Sequence, residues 1–296
     1  MPKCASIQWF HSFYFIHFLN ETAMLKYVSF AIIVLLFASC DKVQEPFLEN
    51  HSQNIDTATY VKKVLIEDFT GARCGNCPRS HEKIEELGEL YGDKVIAIAI
   101  HSGYFAIPTA DYPADYRTTA GNELTTFFGV TEYPNGVINR VQDAGQYLQA
   151  YTAWGSTVSA ELALAPELGI KITNSYNSTN RTVSISADVK FLTSIDEQLK
   201  ICFYITEDSI VSPQTDYSLT PNKVDNYVHM HMLRTAVNGT WGESLPLASY
   251  ALGETVNVSR SYVLNPVWNE NHCHVIVYLY KESDNVILQA EEKKVN

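Results

Sequence analysis

Positive charge is scarce in this sequence of 296 residues: Lys and Arg number 21 against 33 Asp and Glu, a formal net charge of −12. A protein that follows a nucleic-acid backbone needs a stripe of basic residues, and the sequence has no such Lys/Arg cluster. We therefore expect no nucleic-acid partner. Cysteine is also sparse, with six in the chain, so a disulfide-dense scaffold is excluded and the fold must depend on a packed core.

Disorder is excluded as well, because hydrophobic residues make up 46% of the chain and charged residues only 18%. The length suffices for about two domains.

The amino-terminal region has the three parts of a secretory signal. Lys26 precedes an uncharged apolar run, and small residues stand directly before Cys40. The run is shorter than the roughly 20 residues of a membrane-spanning helix. The pattern resembles a bacterial lipobox, which implies lipidation of Cys40 and attachment to the membrane through the lipid. The expected features are a signal region over 1–39, a translation start at Met24 (the alternative is an unusually long signal region) and a tether over 40–59.

A redox motif follows the tether. The β-prone run 64–69 ends shortly before Cys74-Gly-Asn-Cys77, and Pro78 suits the first turn of a helix because its missing N–H is not needed there. The apolar run 95–100 is typical of a strand buried on both faces. The order strand, helix, parallel strand implies a right-handed crossover.

The placement of the two cysteines favours thiol chemistry. The positive end of a helix and the neighbouring Arg73 both stabilise a thiolate, so we expect Cys74 to attack and Cys77 to resolve the mixed disulfide. Asp68 lies near the end of the preceding strand, where its carboxylate is expected below the cysteines as a proton acceptor for Cys77.

These residues, with the later Tyr133-Pro134, resemble thioredoxin-fold proteins. The resemblance implies that Pro134 is a cis proline lying against the redox pair. It also implies that the backbone of Tyr133 pairs with an extended peptide substrate. Arg73 stands where thioredoxin has Trp and is the second expected substrate-binding residue. The Tyr- and Pro-rich insert 101–122 is expected beside the cysteines, either as a lid or groove wall or as a plain covering loop.

A narrower resemblance rests on longer motifs, strongest over 64–140. Together they resemble the Omp28-related outer-membrane lipoproteins of Bacteroidota, which implies a lipidated envelope protein with a thioredoxin-like part. The family implies no settled substrate, and adhesive roles have been suggested for it. The motifs are Thr70-Gly-x-x-Cys-x-x-Cys-Pro, Tyr133-Pro-x-Gly-x-x-Asn-Arg140 and, more weakly, His231-x-Leu-Arg234 and Gly239-Thr-Trp-Gly242.

The second half alternates apolar and polar residues over several short runs, which is typical of antiparallel strands. We predict α/β plus all-β architecture: a thioredoxin-like domain over 60–165, then an immunoglobulin-like β-sandwich over 166–296. Cys202 and Cys273 differ in parity relative to their apolar neighbours, which favours two buried thiols over a disulfide.

Histidine pairs raise the question of a metal site. His229 and His231, and likewise His272 and His274, are spaced to share one strand face. No Asp or Glu stands within either run, so exposed strand histidines are favoured. Cys74-x-x-Cys77-x-x-x-His81 also has metal-compatible spacing, but a metal would block the exchange chemistry. We expect no metal and no other cofactor.

Two functions remain open from the sequence. The first is thiol–disulfide exchange on envelope proteins through Cys74 and Cys77. The second is non-enzymatic binding of an envelope or extracellular protein, as in an adhesin, with Cys74–Cys77 as a structural disulfide. The enzymatic assignment is left open between them.

Overall fold

A computed structural model describes residues 60–296, and the predicted signal region, the start at Met24, Cys40 and the tether lie outside these residues. Strands dominate and helices are few, which confirms the coarse expectation of α/β plus β architecture. No helix in this part is long and apolar enough to cross a membrane. The elements are β1 (Val64–Thr70), α1 (Pro78–Tyr91), β2 (Val95–His101), α2 (Thr119–Phe128), β3 (Asn135–Ile138), α3 (Trp154–Leu162), β4 (Leu168–Asn177), β5 (Thr182–Phe191), β6 (Leu199–Glu207), β7 (Ile210–Thr215), β8 (Lys223–His229), β9 (Met232–Ala236), β10 (Glu243–Ser244), β11 (Thr255–Val263), β12 (Cys273–Lys281) and β13 (Ile287–Lys294).

The first three strands form the expected unit. β1 and β2 are parallel and joined through α1, and β3 lies antiparallel on the other side of β1. Every residue of β1 is buried, because helices cover one face and the carboxyl-terminal strands contribute side chains to the other. As predicted, α1 begins at Pro78 and ends before Gly92, whose φ of 62° suits a residue without a Cβ.

The large sheet runs without interruption through both halves of the chain. Its strand order is β13-β12-β6-β9-β2-β1-β3, and β10 adds to β6. The junction between the halves is short: Ala99 of β2 pairs with Met232 of β9, and the Ala99 N–H donates to the His231 carbonyl at 2.8 Å. The described residues lie in one compact unit. A boundary at residue 165 stays a prediction.

A second layer covers one face of this sheet. The three-stranded sheet β11-β5-β4 packs its apolar side chains against those of β6, β12 and β13. Cys273 lies in the core between the two layers, whereas Cys202 points into the core on the other face of the large sheet. Both are buried free thiols, so the parity argument against a bridge is confirmed.

A fully buried ion pair lies in the core shared by the two halves. Arg140, just after β3, donates from Nε and Nη2 to the two Glu67 oxygens at 2.9 and 2.8 Å, and neither side chain is exposed. Nη2 also donates to the Tyr278 hydroxyl at 3.0 Å. Burial opposes the Arg140 charge, yet the facing Glu67 carboxylate and nearby tyrosines raise the pKa of Arg140 above its ordinary value. Aromatic rings at 5.1–5.7 Å from the guanidinium carbon complete the enclosure: Phe128, Trp241, Tyr278 and Tyr280.

Arg140→Met should lower the free energy of unfolding by about 3–5 kcal/mol, because Glu67 would remain buried without a counterion. Urea denaturation measures this loss. The control is Arg117→Met, which removes an ion pair with Asp115 at the surface and should change unfolding little. Equal effects of the two substitutions would contradict the structural role of the buried pair.

Candidate functional site

The two cysteines of the redox motif are bonded to each other at the amino end of α1. The Cys74–Cys77 bridge spans 5.4 Å between Cα atoms. Its sulfurs are held just beyond the carboxyl end of β1, where a short turn carries the chain from Gly71 to Cys74. Only 2% of Cys74 and none of Cys77 is exposed, so the bridge is closed to any reactant in this conformation.

The predicted cis proline is present. The peptide bond between Tyr133 and Pro134 is cis, as the resemblance to thioredoxin-fold proteins implies. β3 begins one residue later, with Asn135 opposite Phe69 of β1. Pro134 therefore stands at the same edge of the sheet from which the chain leads to Cys74. The Tyr133 ring packs against Phe105 of the insert, at 5.8 Å between ring centroids.

Asp68, on β1, is buried with no exposed surface, and its expected position below the cysteines stays a prediction. The Ser80 hydroxyl lies 3.3 Å from Asp68 Oδ2 and donates to the Cys77 carbonyl at 2.8 Å, which links the carboxyl to the first turn of α1. Oδ1 has no hydrogen-bond partner, and the nearest cationic candidate is the imidazole of His81. Burial raises the pKa of Asp68 to about 8, despite the opposing hydrogen bond from Ser80. The carboxyl is therefore largely protonated at neutral pH.

His81 connects Asp68 to a distant part of the chain. Its Nε2 lies 3.0 Å from the Thr70 hydroxyl and 3.6 Å from Asp68 Oδ2. Its Nδ1 lies 2.7 Å from the hydroxyl of Tyr227 on β8. Burial, with smaller contributions from His229 and His231, lowers the pKa of His81 to about 3. Its ring is therefore neutral at pH 7 and can both donate and accept a hydrogen bond.

The Tyr-rich insert lies beside the redox motif. The Arg73 N–H donates to the Phe105 carbonyl at 3.1 Å, and the guanidinium sits 4.5 Å from the centroid of the Tyr104 ring while donating to the Tyr104 carbonyl. A Cβ at Gly71 would overlap the backbone at Phe105, so only glycine permits this approach. Arg73, expected to bind substrate, is thus held by the insert.

Sequence reasoning missed the element that covers the bridge. The hairpin of β7 and β8, residues 210–229, forms a separate two-stranded sheet that lies on the redox motif. The Thr215 N–H donates to the Ala72 carbonyl at 2.8 Å, and the Tyr217 N–H to the Gly75 carbonyl at 2.8 Å. The Gln214 side-chain amide donates to the Cys74 carbonyl at 2.9 Å.

The fit between hairpin and motif is close. The Tyr217 ring packs so tightly on Gly75 that a Cβ there would overlap it. From the other side, the Tyr112 hydroxyl of the insert lies 2.7 Å from the Thr215 hydroxyl. The hairpin is therefore held by both the motif and the insert. No local pattern in 210–229 signals this contact, because its partners lie more than 100 residues earlier in the chain.

His229, at the end of β8, is buried, and its ring packs against His101 and against Tyr116 of the insert. The expectation of exposed strand histidines is therefore wrong for His229. The other three are partly buried. Carboxylates absent from the local sequence are supplied by the fold: Asp208 lies 3.6 Å from His231 and 3.7 Å from His274. Even so, no three His, Cys, Asp or Glu side chains among residues 60–296 are grouped in a way that could hold a metal ion. The sulfurs of Cys74 and Cys77 are bonded to each other and are therefore not available as metal ligands.

Comparison with known families identifies the chain. The Omp28 family, described as outer membrane protein Omp28, matches residues 121–296, more than half of the sequence. The chain belongs to the Omp28 family. The expected family relationship and outer-membrane location in the cell envelope are thereby confirmed. The Omp28 match begins after Cys77, so it gives no information on the cysteine chemistry, and it includes the Tyr133–Arg140 motif together with the weaker motifs of the second half.

The comparison with solved structures concerns the fold alone. HBP35 of Porphyromonas gingivalis is similar with a TM-score of 0.62 and 18% identity, over 80% of this chain and 76% of that one. A domain of the outer membrane lipoprotein Omp28 from P. gingivalis has 17% identity and a TM-score of 0.30, over 45% of this chain and 91% of its own. The latter score is too low to support a structural argument. No curated protein matches the sequence.

Asp68→Asn should remove a pH dependence of stability. The folded protein holds the Asp68 proton up to about pH 8, whereas the unfolded chain releases it near pH 4. The folded state thus binds more protons within this window, so this carboxyl makes stability fall as pH rises from about 4 through 8, by at most about 1.4 kcal/mol per pH unit.

The variant should match the native protein near pH 4 and exceed its stability at pH 8, in urea unfolding of the disulfide-bonded proteins. Asp143→Asn, at an exposed position, serves as the control. An unchanged pH slope in Asp68→Asn would show that the buried carboxyl does not hold its proton.

Proposed function

We propose that this Omp28-family lipoprotein catalyses thiol–disulfide exchange on proteins of the cell envelope through Cys74 and Cys77. The observation that carries the proposal is the bonded pair at the start of a helix, with the buried carboxyl of Asp68 linked to the Cys77 carbonyl through the Ser80 hydroxyl. The membrane is reached through the lipid expected on Cys40. Tyr133 and Arg73 are the proposed substrate-binding residues, and no cofactor is required.

The arrangement of elements around the pair supports a thioredoxin-like half. β1 leads into the motif, α1 follows, β2 lies parallel to β1, and the cis Pro134 opens the antiparallel β3. The second half is proposed to be an immunoglobulin-like sandwich. Its support is the packing of the β11-β5-β4 sheet over β6, β12 and β13.

The exchange step follows from the positions of the groups. A thiolate of a substrate dithiol attacks Sγ of Cys74, the Cys74–Cys77 bond breaks, and Cys77 leaves as a thiolate that takes the proton of Asp68. The second substrate thiolate then attacks the substrate sulfur of the mixed disulfide and releases Cys74. Two electrons pass to the protein, and the substrate becomes a disulfide. The reverse sequence reduces a substrate disulfide.

Access to Cys74 requires the hairpin to move away. The hairpin is suited to this because its two strands pair with no third strand, and a two-stranded sheet is marginally stable by itself. Its contacts with the motif are two backbone hydrogen bonds, the Gln214 amide and the Tyr217 ring. Opening the hairpin also breaks the contacts of Thr215 with Tyr112 and of Tyr227 with His81, and it displaces His229 from the rings of His101 and Tyr116.

Trapping separates the roles of the two sulfurs. Cys77→Ala should form stable mixed disulfides through Cys74, with oxidised glutathione and with disulfide-bonded envelope proteins, because the Cys74 thiolate attacks those disulfides and no resolving thiol remains. Cys74→Ala is the matched control: it loses the same bridge, but Cys77 lies deeper and should form none. Non-reducing electrophoresis and mass spectrometry detect the adducts. Titration of the native pair against glutathione should give a potential above about −300 mV.

A second function, surface binding without catalysis, is favoured by one observation: both sulfurs are shielded by the hairpin. In that case the bridge is structural, and the ligand is an envelope or extracellular protein, as for an adhesin. A potential below about −300 mV together with the absence of adducts in Cys77→Ala would exclude exchange and favour this binding function.

Gln214→Ala should increase the rate at which dithiothreitol reduces the bridge, by roughly five-fold. The substitution removes the hydrogen bond to the Cys74 carbonyl, worth about 1 kcal/mol, and so favours the open hairpin. Val211→Ala is the control, since Val211 lies on the same strand and is 60% exposed. If both variants react at the native rate, the bridge becomes accessible by a route other than hairpin opening.

A further inference from the structure

We propose that Tyr227 and His81 form a proton relay between solvent and Asp68, the carboxyl that serves Cys77. This inference rests on the proposed exchange reaction and extends it to two residues outside the cysteine motif. Tyr227 lies on β8, so it belongs both to the proposed relay and to the hairpin that lies on the redox motif.

The inner end of the relay lies on the face of β1 that packs on α1. Asp68 and Thr70 are two residues apart and therefore share that face. His81 is one helical turn beyond Cys77, which directs its ring to the same place. Its Nε2 is 3.0 Å from the Thr70 hydroxyl and 3.6 Å from Asp68 Oδ2. The second distance is slightly long for a hydrogen bond, and such contacts often shorten only when the reacting complex forms.

The outer end of the relay reaches a cavity. The Tyr227 hydroxyl lies 2.7 Å from His81 Nδ1. A hydroxyl that donates to Nδ1 leaves the ring hydrogen on Nε2, directed to Thr70 and Asp68. Both rings line a cavity of about 440 Å³ between α1 and β8, whose lining also includes Glu82, Glu85, Met230 and His231. The exposed Glu82 and Glu85 mark its side towards solvent.

Among residues 60–296, no other side chain offers Asp68 a comparable route. The Ser80 hydroxyl is already engaged with the Cys77 carbonyl, and Asp68 Oδ1 has no partner. The neighbouring Glu67 points to the opposite face of β1, where Arg140 occupies both of its oxygens. His81 is therefore the titratable group through which a proton can reach this carboxyl.

Proton balance requires such a route. A substrate dithiol releases its protons to solvent when it ionises, and Cys77 takes one proton from Asp68 when the bridge breaks. Asp68 is then restored by the His81 Nε2 proton, while His81 Nδ1 takes the proton of the Tyr227 hydroxyl. Tyr227 recovers a proton from water in the cavity. In the reverse reaction, which oxidises the protein, protons leave along the same path.

Chemical rescue tests the relay. His81→Ala should slow reduction of the bridge at saturating dithiothreitol by about ten-fold or more, because proton delivery becomes limiting. Added imidazole should restore the rate, since it can enter the space left beside the cavity and carry the proton. Tyr227→Phe, a smaller change, should also slow the reaction. Circular dichroism checks that both variants are folded.

Tyr112→Phe is the matched control, because it also removes a tyrosine hydroxyl that holds the hairpin but does not touch His81. It should react at the native rate or faster, without any response to imidazole. A native rate in His81→Ala, or a slow rate that imidazole does not restore, would overturn the relay alone, provided that the native bridge exchanges with thiols. If Cys77→Ala forms no mixed disulfides with oxidised glutathione or with disulfide-bonded envelope proteins, the exchange function and the relay fail together.

Discussion

The ion pair of Glu67 and Arg140 holds the two halves of the chain in register. Glu67 belongs to β1 and Arg140 follows β3, but the aromatic side chains that enclose them come mainly from the second half. A charge pair with no exposure is tolerated only where geometry is good and hydrogen bonds are nearly complete. It therefore specifies one arrangement of β1 relative to β12, and the cysteine motif at the end of β1 is positioned by the same arrangement.

The adjacent carboxyl groups of Glu67 and Asp68 on β1 point to opposite faces of the sheet and have different surroundings. Glu67 meets the guanidinium of Arg140, whereas Asp68, on the other face, meets the Ser80 hydroxyl and a neutral imidazole. Desolvation without a counterion favours the protonated form of Asp68. Here the difference follows from the alternation of side chains along one strand.

Local features of the site could be predicted from the sequence, and contacts between distant segments could not. Pro78 at the helix start and the burial of Asp68 follow from short motifs, and the cis Pro134 follows from the resemblance of such motifs to thioredoxin-fold proteins. The hairpin over the bridge depends on where β9 joins the large sheet, which alternation along the chain does not encode. For the same reason the sequence does not predict the grouping of Asp208 with two histidines: Asp208 lies between β6 and β7, His231 between β8 and β9, and His274 on β12.

The cover on the disulfide has a consequence for the order in which the protein matures. Residues 210–229 emerge long after Cys77 during synthesis, and the separate two-stranded sheet that they form can contact the motif only after they are available. Until then both thiols are open to the oxidants of the exported compartment. The Cys74–Cys77 disulfide is thus expected to form before folding is complete, and β7 and β8 then pack over a bond that already exists.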